Sequence, residues 1–462
     1  MKIPVKPPAW REKLVPLMST PEGSLRFLKL TTAFGFGPTL RGKYRHWDTF
    51  RHLPFPDGVT PEEAWIAVKI ARTSLYKQIP LTDTSLMPFQ FSLPGVAIEM
   101  LHHVDHDAAG SIKTPDLVTD PSTRDTYLIK SLVEEAITSS QLEGASTTRR
   151  VAKAMIQEGR EPRTRSERMI ANNYTAMSRI RQFIGQPLTT ALVLELQAIL
   201  TAGTLDEPNA SGRLRRPDEP IVVEDEVGTL LHVPPKADQL QWRMDRMCAF
   251  ANGEGTSAEE FIHPVVRSIL LHFWLAYDHP FVDGNGRTAR ALFYWSMARH
   301  GYWLSEYVSI SRILKKAKAQ YARAFLYSEN DENDATYFLL FQLRVLQRAI
   351  VDLHTYLAKK AAELKAMSDR LLRTRALGIE LNSRQLAITN HALKNPGARY
   401  TFLSHRRSHG ISYETARTDL LELSKLGLLE ARKVRRAFNF FAPEDLEKRL
   451  LNLARQRRKA MA

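Results

Sequence analysis

Cysteine is nearly absent from this chain: among 462 residues only Cys248 carries a thiol. An internal disulfide framework is therefore excluded, and the chain suits a reducing compartment. Long apolar runs are missing as well. The longest, Ser268 to Tyr277, is broken by His272 and is far shorter than a bilayer crossing requires, so no membrane partner is expected. The opening residues Met1 to Pro8 combine lysine and proline without an apolar core, so no secretory signal is expected and the cytoplasm is the default. Acidic residues are in deficit, 50 Asp and Glu against 65 Lys and Arg. With 44% hydrophobic and 25% charged residues, the chain can bury more than one core, and two or three domains are expected.

What is present is concentrated in twelve residues, His279-Pro280-Phe281-Val282-Asp283-Gly284-Asn285-Gly286-Arg287-Thr288-Ala289-Arg290. Gly284 and Gly286 flank Asn285, which lets backbone N–H groups converge into an anion nest suited to phosphate. The apolar run that follows predicts a helix, whose positive N-terminal end would face the same anion. Arg287 and Arg290 are three apart, on one helix face, where forked guanidiniums would hold the outer phosphates of a nucleotide. Asp283 would repel such a ligand unless a Mg²⁺ ion bridged the two. His279, at the mouth, is suited to taking a proton from an attacking hydroxyl. Base, metal ligand, nest and clamp describe transfer of a phosphate-containing group. A Walker loop is excluded because no Gly-Lys-Ser/Thr closes the segment, and an EF-hand because the twelfth position from Asp283 is Tyr294.

These residues resemble, without a departure, the signature of the Fic family, His-Pro-Phe-x-Asp/Glu-Gly-Asn-Gly-Arg-x-x-Arg. The resemblance implies a mainly α fold, a helical core with a small β-hairpin flap, and transfer of AMP from Mg·ATP to a Ser, Thr or Tyr hydroxyl of a protein substrate and of the enzyme itself. It implies that His279 is the base, Asp283 the metal ligand, Gly284, Asn285 and Gly286 the phosphate nest, and Arg287 and Arg290 the ligands of the β- and γ-phosphates. Phe281 is expected to anchor the loop in the core.

Upstream, residues 127–144 read as a helix, with Leu128, Leu132 and Ala136 at i, i+4 spacing and Gly144 as a C-cap. Ser139, Glu143 and Gly144 are similar to the family's inhibitory helix, Ser/Thr-x-x-x-Glu-Gly/Asn, which implies that Glu143 pairs with Arg290 and restrains the enzyme. A homodimer or another partner would release it. Residues 220–233 carry apolar β-branched runs around an acidic, glycine-containing turn and predict a hairpin. In the family such a flap holds the target backbone as an added strand, which here implicates Ile221, Val222 and Val223. Tyr321 falls where family members line the adenine pocket with aromatics; the second tyrosine common there is Ala322.

The domains expected are a helical lead-in region over 1–119, a catalytic domain over 120–352, a linker helix over 353–380, a further domain over 381–445 and a basic tail over 446–462. Within the lead-in, Thr60-Pro61-Glu62-Glu63 predicts a helix start by its capping box and its proline at N1. The cluster His102, His103, Asp105, His106 and Asp107 lacks Cys partners and reads as a solvated polar patch. Residues 371–462 hold 19 Lys and Arg against 8 Asp and Glu. Three predicted helices followed by a basic β-turn-β resemble a winged helix-turn-helix, with Tyr413, Thr415 and Arg417 as base readers and Arg435 and Arg436 as phosphate contacts on DNA. A DNA-binding regulator that senses nucleotide through the Fic core is the competing reading. Removal of AMP from modified proteins, with Glu143 positioning a water, transfer of phosphate from reversed ATP, and another nucleotide donor stay open.

Overall fold

The computed structural model describes residues 1–32, 35–108, 121–254, 261–376, 381–434, 437–450, 452 and 453. It falls into two units, Met1–His354 and Thr355–Ala462. Helices dominate both, and no helix among the described residues is long and apolar enough to cross a membrane.

The first unit opens with α1 (Trp10–Met18), α2 (Pro21–Thr32), α3 (Trp47–Phe50) and α4 (Pro61–Thr73). In α4 the Thr60 side chain accepts from Glu63 N–H and the Glu63 side chain accepts from Thr60 N–H, so the capping box is reciprocal. A hairpin of β1 (Lys77–Thr82) and β2 (Pro88–Phe91) follows, then α5 (Gly95–Ala108). The lead-in is thus not purely helical, and residues 1–108 are not a separate body. The reason is a buried ionic network that ties them to the core: Lys69 Nζ lies 2.8 Å from Asp331, Arg72 donates to the Tyr337 hydroxyl at 2.7 Å, and Tyr76 donates to Asp334 at 2.9 Å. Breaking one partner of such a network strands a buried charge at a cost of about 3–5 kcal/mol.

The body continues through α6 (Pro121–Leu142), α7 (Arg149–Glu158), α8 (Arg165–Phe183) and α9 (Thr190–Thr201). A two-stranded hairpin, β3 (Val223–Glu224) with β4 (Leu230–His232), precedes α10 (Leu240–Ala251), α11 (Pro264–Asp278) and α12 (Asn285–Arg299). Then come α13 (Ile310–Lys316), α14 (Lys318–Asn330) and α15 (Thr336–Ala376), within which the division between the units falls. The helices α11 and α12 form the centre of the first unit. Both are apolar on nearly every face because neighbours surround them: α10 packs on α11, while α6, α8 and α9 pack on α12. Trp274 and Trp295 are fully buried there, and truncating either to alanine would cost about 3–5 kcal/mol.

The second unit holds α16 (Ser383–Lys394), β5 (Arg399–Tyr400), α17 (Phe402–His409), α18 (Tyr413–Lys425), β6 (Glu430–Val434) and β7 (Ala437–Phe441), with strand order β5-β7-β6 and antiparallel pairing. Its core joins Leu386, Leu420, Leu423 and Phe440. Buried Asp419 accepts from Arg384, His405 and Asn382, and although burial alone would raise its pKa, these donors hold it down at about 2. Leu446 is buried in this core, so the segment read as a basic tail begins inside the unit. The expected wing residues Arg435 and Arg436 lie outside the described residues, as do 377–380 of the expected linker.

Candidate active site

The sharp turn between α11 and α12 is built by residues on either side of it. Asp278, the last residue of α11, is fixed by Arg243 Nε at 2.8 Å and Trp274 Nε1 at 2.9 Å. His279 then adopts φ +45°, a left-handed conformation uncommon outside glycine. Two bonds hold it there: Arg215 Nε donates to His279 O at 3.0 Å, and Arg215 N–H donates to Pro280 O at 2.9 Å. Phe281 is fully buried. Asn285 folds its amide back on it, accepting from Phe281 N–H at 2.9 Å and donating to Phe281 O at 2.8 Å. Its side chain is thereby committed to the loop, so only its backbone is left for the nest.

His279 Nδ1 faces the carbonyl oxygen of Ala276 at 3.2 Å. A carbonyl can only accept, so Nδ1 carries the proton and Nε2 is the basic nitrogen of the neutral ring. Burial pushes the pKa down to about 4, with His232 and Arg215 pulling the same way against Ala276 O and Glu143. At neutral pH the ring is an unprotonated base.

Beyond the turn, Gly284 is the N-cap of α12 with φ +88° and no side chain to satisfy the helix end. The first-turn N–H groups of Asn285, Gly286 and Arg287 consequently have no acceptor within the helix. A Cβ on Gly284 would lie 2.8 Å from Thr201 Cγ2, so α9 sets how closely the turn can pass. Gln197 on α9 donates to Asp283 O at 3.0 Å.

The two arginines do not act as the parallel pair expected from their spacing. Arg287, with a fully buried side chain, donates to Leu200 O at 2.9 Å and to Asp283 Oδ2 at 3.0 Å. Arg290 points elsewhere, donating through Nε to Ser139 Oγ at 2.9 Å and through a terminal nitrogen to Ser139 O at 3.1 Å and Glu143 Oε1 at 2.7 Å. Three positions on a helix differ by about 60° in direction, and the C-terminal end of α9 on one side and α6 on the other take one guanidinium each. Burial of Arg290 disfavours its charge, but Glu143, Tyr321 and Glu135 outweigh that and raise its pKa.

Glu143 lies one residue beyond α6, and Gly144 turns the chain with φ +92°. Its carboxylate is brought to the nest by anchors that the sequence pattern did not single out. Chief among them is Glu135, buried on α6, which accepts from the Tyr294 hydroxyl at 2.9 Å, the Ser309 hydroxyl at 2.8 Å, Ser311 N–H at 3.2 Å and the Ser311 hydroxyl. Ser140 donates to Met169 O at 3.1 Å, pinning α6 to α8. Heptad-like spacing cannot reveal such a residue, because a glutamate on a helix reads as solvent-facing; three hydroxyl-bearing positions, Tyr294, Ser309 and Ser311, were the only available signal.

Tyr321 donates to or accepts from His272 Nε2 at 2.8 Å, and its ring lies among Phe325, Phe338 and Phe341. Burial pushes its pKa up to about 12 and that of His272 down to about 3, with Arg290 adding to the latter. The hairpin β3–β4 is held by His232, whose Nδ1 lies 2.7 Å from Glu329 and Nε2 2.8 Å from Tyr277 O. Val222 is 48% exposed, Ile221 and Val223 are half-buried, and each strand has one edge outside the two-stranded ladder. Tyr413, Thr415 and Arg417 lie in the first turns of α18 in the second unit. Among the described residues no three His, Cys, Asp or Glu side chains converge as a metal cluster. Asp283 keeps 39% of its side chain exposed despite its Arg287 contact, and Mg²⁺ is characteristically held by one or two carboxylates plus substrate phosphates, so Asp283 fits that role.

Residues 187–297 match the family model described as Fic/DOC family. The chain is 34% identical over 136 residues to the protein adenylyltransferase Fic of Drosophila virilis, a match covering 28% of this chain and 26% of that protein. To the protein of the same name in Drosophila melanogaster it is 42% identical over 71 residues, 15% of this chain and 14% of the other. The matches thus span about a quarter or less of the length of these relatives. Among solved structures, a Fic family protein from Desulfovibrio desulfuricans G20 superposes with a TM-score of 0.49 at 18% identity, covering 80% of this chain and 99% of that one.

Proposed function

Starting from a chain that carries a Fic domain over residues 187–297, we propose that this protein is an adenylyltransferase that moves AMP from Mg·ATP to a hydroxyl side chain of a protein, itself included. The target oxygen attacks the α-phosphorus as the bond to the β-phosphate oxygen breaks, pyrophosphate leaves, and the hydroxyl proton passes to His279 Nε2. The open N–H groups at the start of α12 and the Arg290 guanidinium hold the phosphates. Asp283 would hold magnesium, which would supply neutralisation of the phosphate charge. Arg287 acts by fixing Asp283. The flap edge at Ile221, Val222 and Val223 holds the target as an added strand, and Tyr321 borders the adenine site.

The observation that carries this reading is the 2.7 Å contact between Glu143 and Arg290 beside the first turn of α12. An internal carboxylate resting at an anion site, next to a neutral base, describes a nucleotide site held shut. Ser139, Glu143 and Gly144 therefore form an inhibitory element.

The test is the intact mass of Glu143→Gly protein after incubation with Mg·ATP, beside Glu143→Gly/His279→Ala. A gain of one AMP, absent from the double variant, is expected. A phosphate-sized gain would replace the proposal with kinase-like chemistry, and no gain in either, even with added cell extract, would overturn it in favour of AMP removal.

For the second unit we propose DNA binding through a winged helix-turn-helix, supported by the exposed Tyr413 and Arg417 near the start of α18 and by the exposed Arg432 and Lys433 on β6. Duplex binding that weakens steeply with salt and is reduced by Arg417→Ala is expected; salt-independent binding would sink it.

A further inference from the structure

A second cleft lies in the first unit, away from the residues of the α11–α12 turn. It has a volume of about 450 Å³ and is lined by the segment after α2, by α14 and by the start of α15. That volume is in the range of small-molecule sites, about 300–1,000 Å³. Four cations line it, Lys43, Arg45, Arg323 and Arg344, and no Asp or Glu is among its lining residues. Among the described residues none of the four is paired with a carboxylate, in a protein where Lys69, Arg243 and Arg290 all are. The Nε atoms of Arg45 and Arg323 are buried and make no hydrogen bond. An unmet guanidinium donor is costly to bury, and four cations lining one cleft without a carboxylate among its lining residues are an unbalanced charge that a polyanion would neutralise.

Aromatic surface stands beside the charge. Tyr327 and Phe341 line the cleft together with His46, whose ring stacks on Tyr327 at 4.1 Å with an interplanar angle of 11°. The helix α14 shows why this is not the active site. Arg323 and Tyr327 lie on the stripe facing the cleft, whereas Tyr321 and Glu329 turn to His272 and to the flap residue His232. One helix therefore backs two separate sites.

We propose that this cleft is a second, non-catalytic site for a phosphorylated small molecule of nucleotide type, its phosphates on Lys43, Arg45, Arg323 and Arg344 and its planar part against Tyr327 and Phe341. Several guanidiniums demand more than one negative charge, and a flat aromatic wall selects a base-bearing anion over a bare phosphate chain.

The experiment is calorimetric titration of the full-length protein with ATP and, separately, with inorganic tripolyphosphate, both without magnesium. Wild type, Arg323→Gln/Arg344→Gln and Arg290→Ala are compared. Loss of two charge-assisted contacts should weaken ATP binding at least about tenfold in the double variant, while Arg290→Ala keeps that binding event. Equal affinity for tripolyphosphate would overturn the nucleotide assignment. An unchanged double variant, or no binding by wild type, would overturn the site. Should the double variant fail to fold, amide exchange of wild type decides: ATP should slow exchange at 43–49 and 320–327, and no change there overturns the proposal.

Discussion

The carboxylate of Glu143 occupies the space in which a side chain on Gly286 would stand: a Cβ built there lies 2.2 Å from Glu143 Oε1 and 3.0 Å from its Cδ. Under the proposed function, the second glycine of this turn serves the Glu143–Arg290 contact as well as close approach of a phosphate. The same carboxylate pairs with Arg290, so one side chain covers both the backbone at Gly286 and the Arg290 guanidinium.

Gly286→Ala is expected to expel Glu143, because the obstructing atom is the movable tip of a side chain. We expect a loss of about 1–3 kcal/mol in wild type, since Arg290 loses its partner, and a markedly smaller loss in a Glu143→Gly background. Denaturant unfolding of the four proteins of this double-mutant cycle measures the coupling; equal losses in both backgrounds would show that Glu143 is not what the Cβ meets.

Glu143→Gly itself is expected to lower stability by about 1–3 kcal/mol while raising AMP transfer. Arg290 keeps its bonds to Ser139, so the helix should stay docked. Parallel thermal melts and transfer assays check this, and a rise in stability with no rise in transfer would contradict it.

Glu135→Gln removes acceptor capacity from a buried cluster of hydroxyl and amide donors. The amide can still accept, but one of its two heads becomes a donor facing donors. Faster amide exchange across 128–142 and partial relief of inhibition are expected; unchanged exchange would mean that α6 is held by its apolar face alone.

Acid should destabilise the first unit through histidines held neutral. His46 and His272 are pushed down to about 4 and about 3 by burial, and both are essentially inaccessible. Their folded pKa values lie below the unfolded value near 6.5, so the unfolded chain binds more protons between these limits and stability falls as pH drops from about 6.5 toward 4. Each contributes on the order of 3 kcal/mol. The raised pKa of His232, whose Glu329 contact outweighs its burial, acts with the opposite sign. Denaturation midpoints at pH 7 and pH 5 test the net direction, and His46→Gln should flatten the slope. For catalysis, the acid limb of kcat/KM in Glu143→Gly should lie well below pH 6.5, since His279 stays unprotonated to about 4.

By itself the sequence determined the chemistry-bearing turn. Each residue type there has a conformational or acid–base reason that is local: glycine where φ is positive at Gly284, an imidazole at the end of α11, a helix start that leaves N–H groups open. Local periodicity likewise marked α6, whose expected span of 127–144 overlaps the helix Pro121–Leu142 but starts late. Tertiary structure decided how the side chains divide their work. Spacing alone put Arg287 and Arg290 on one face, but Leu200 O and Asp283 claim the first, and Ser139 and Glu143 the second. The membership of residues 1–108 in the core, the anchoring by Glu135 and the bracing by Arg215 were equally out of reach of a linear pattern. Each depends on a partner tens to hundreds of positions away, and a buried charge declares itself only when the opposing group is seen beside it.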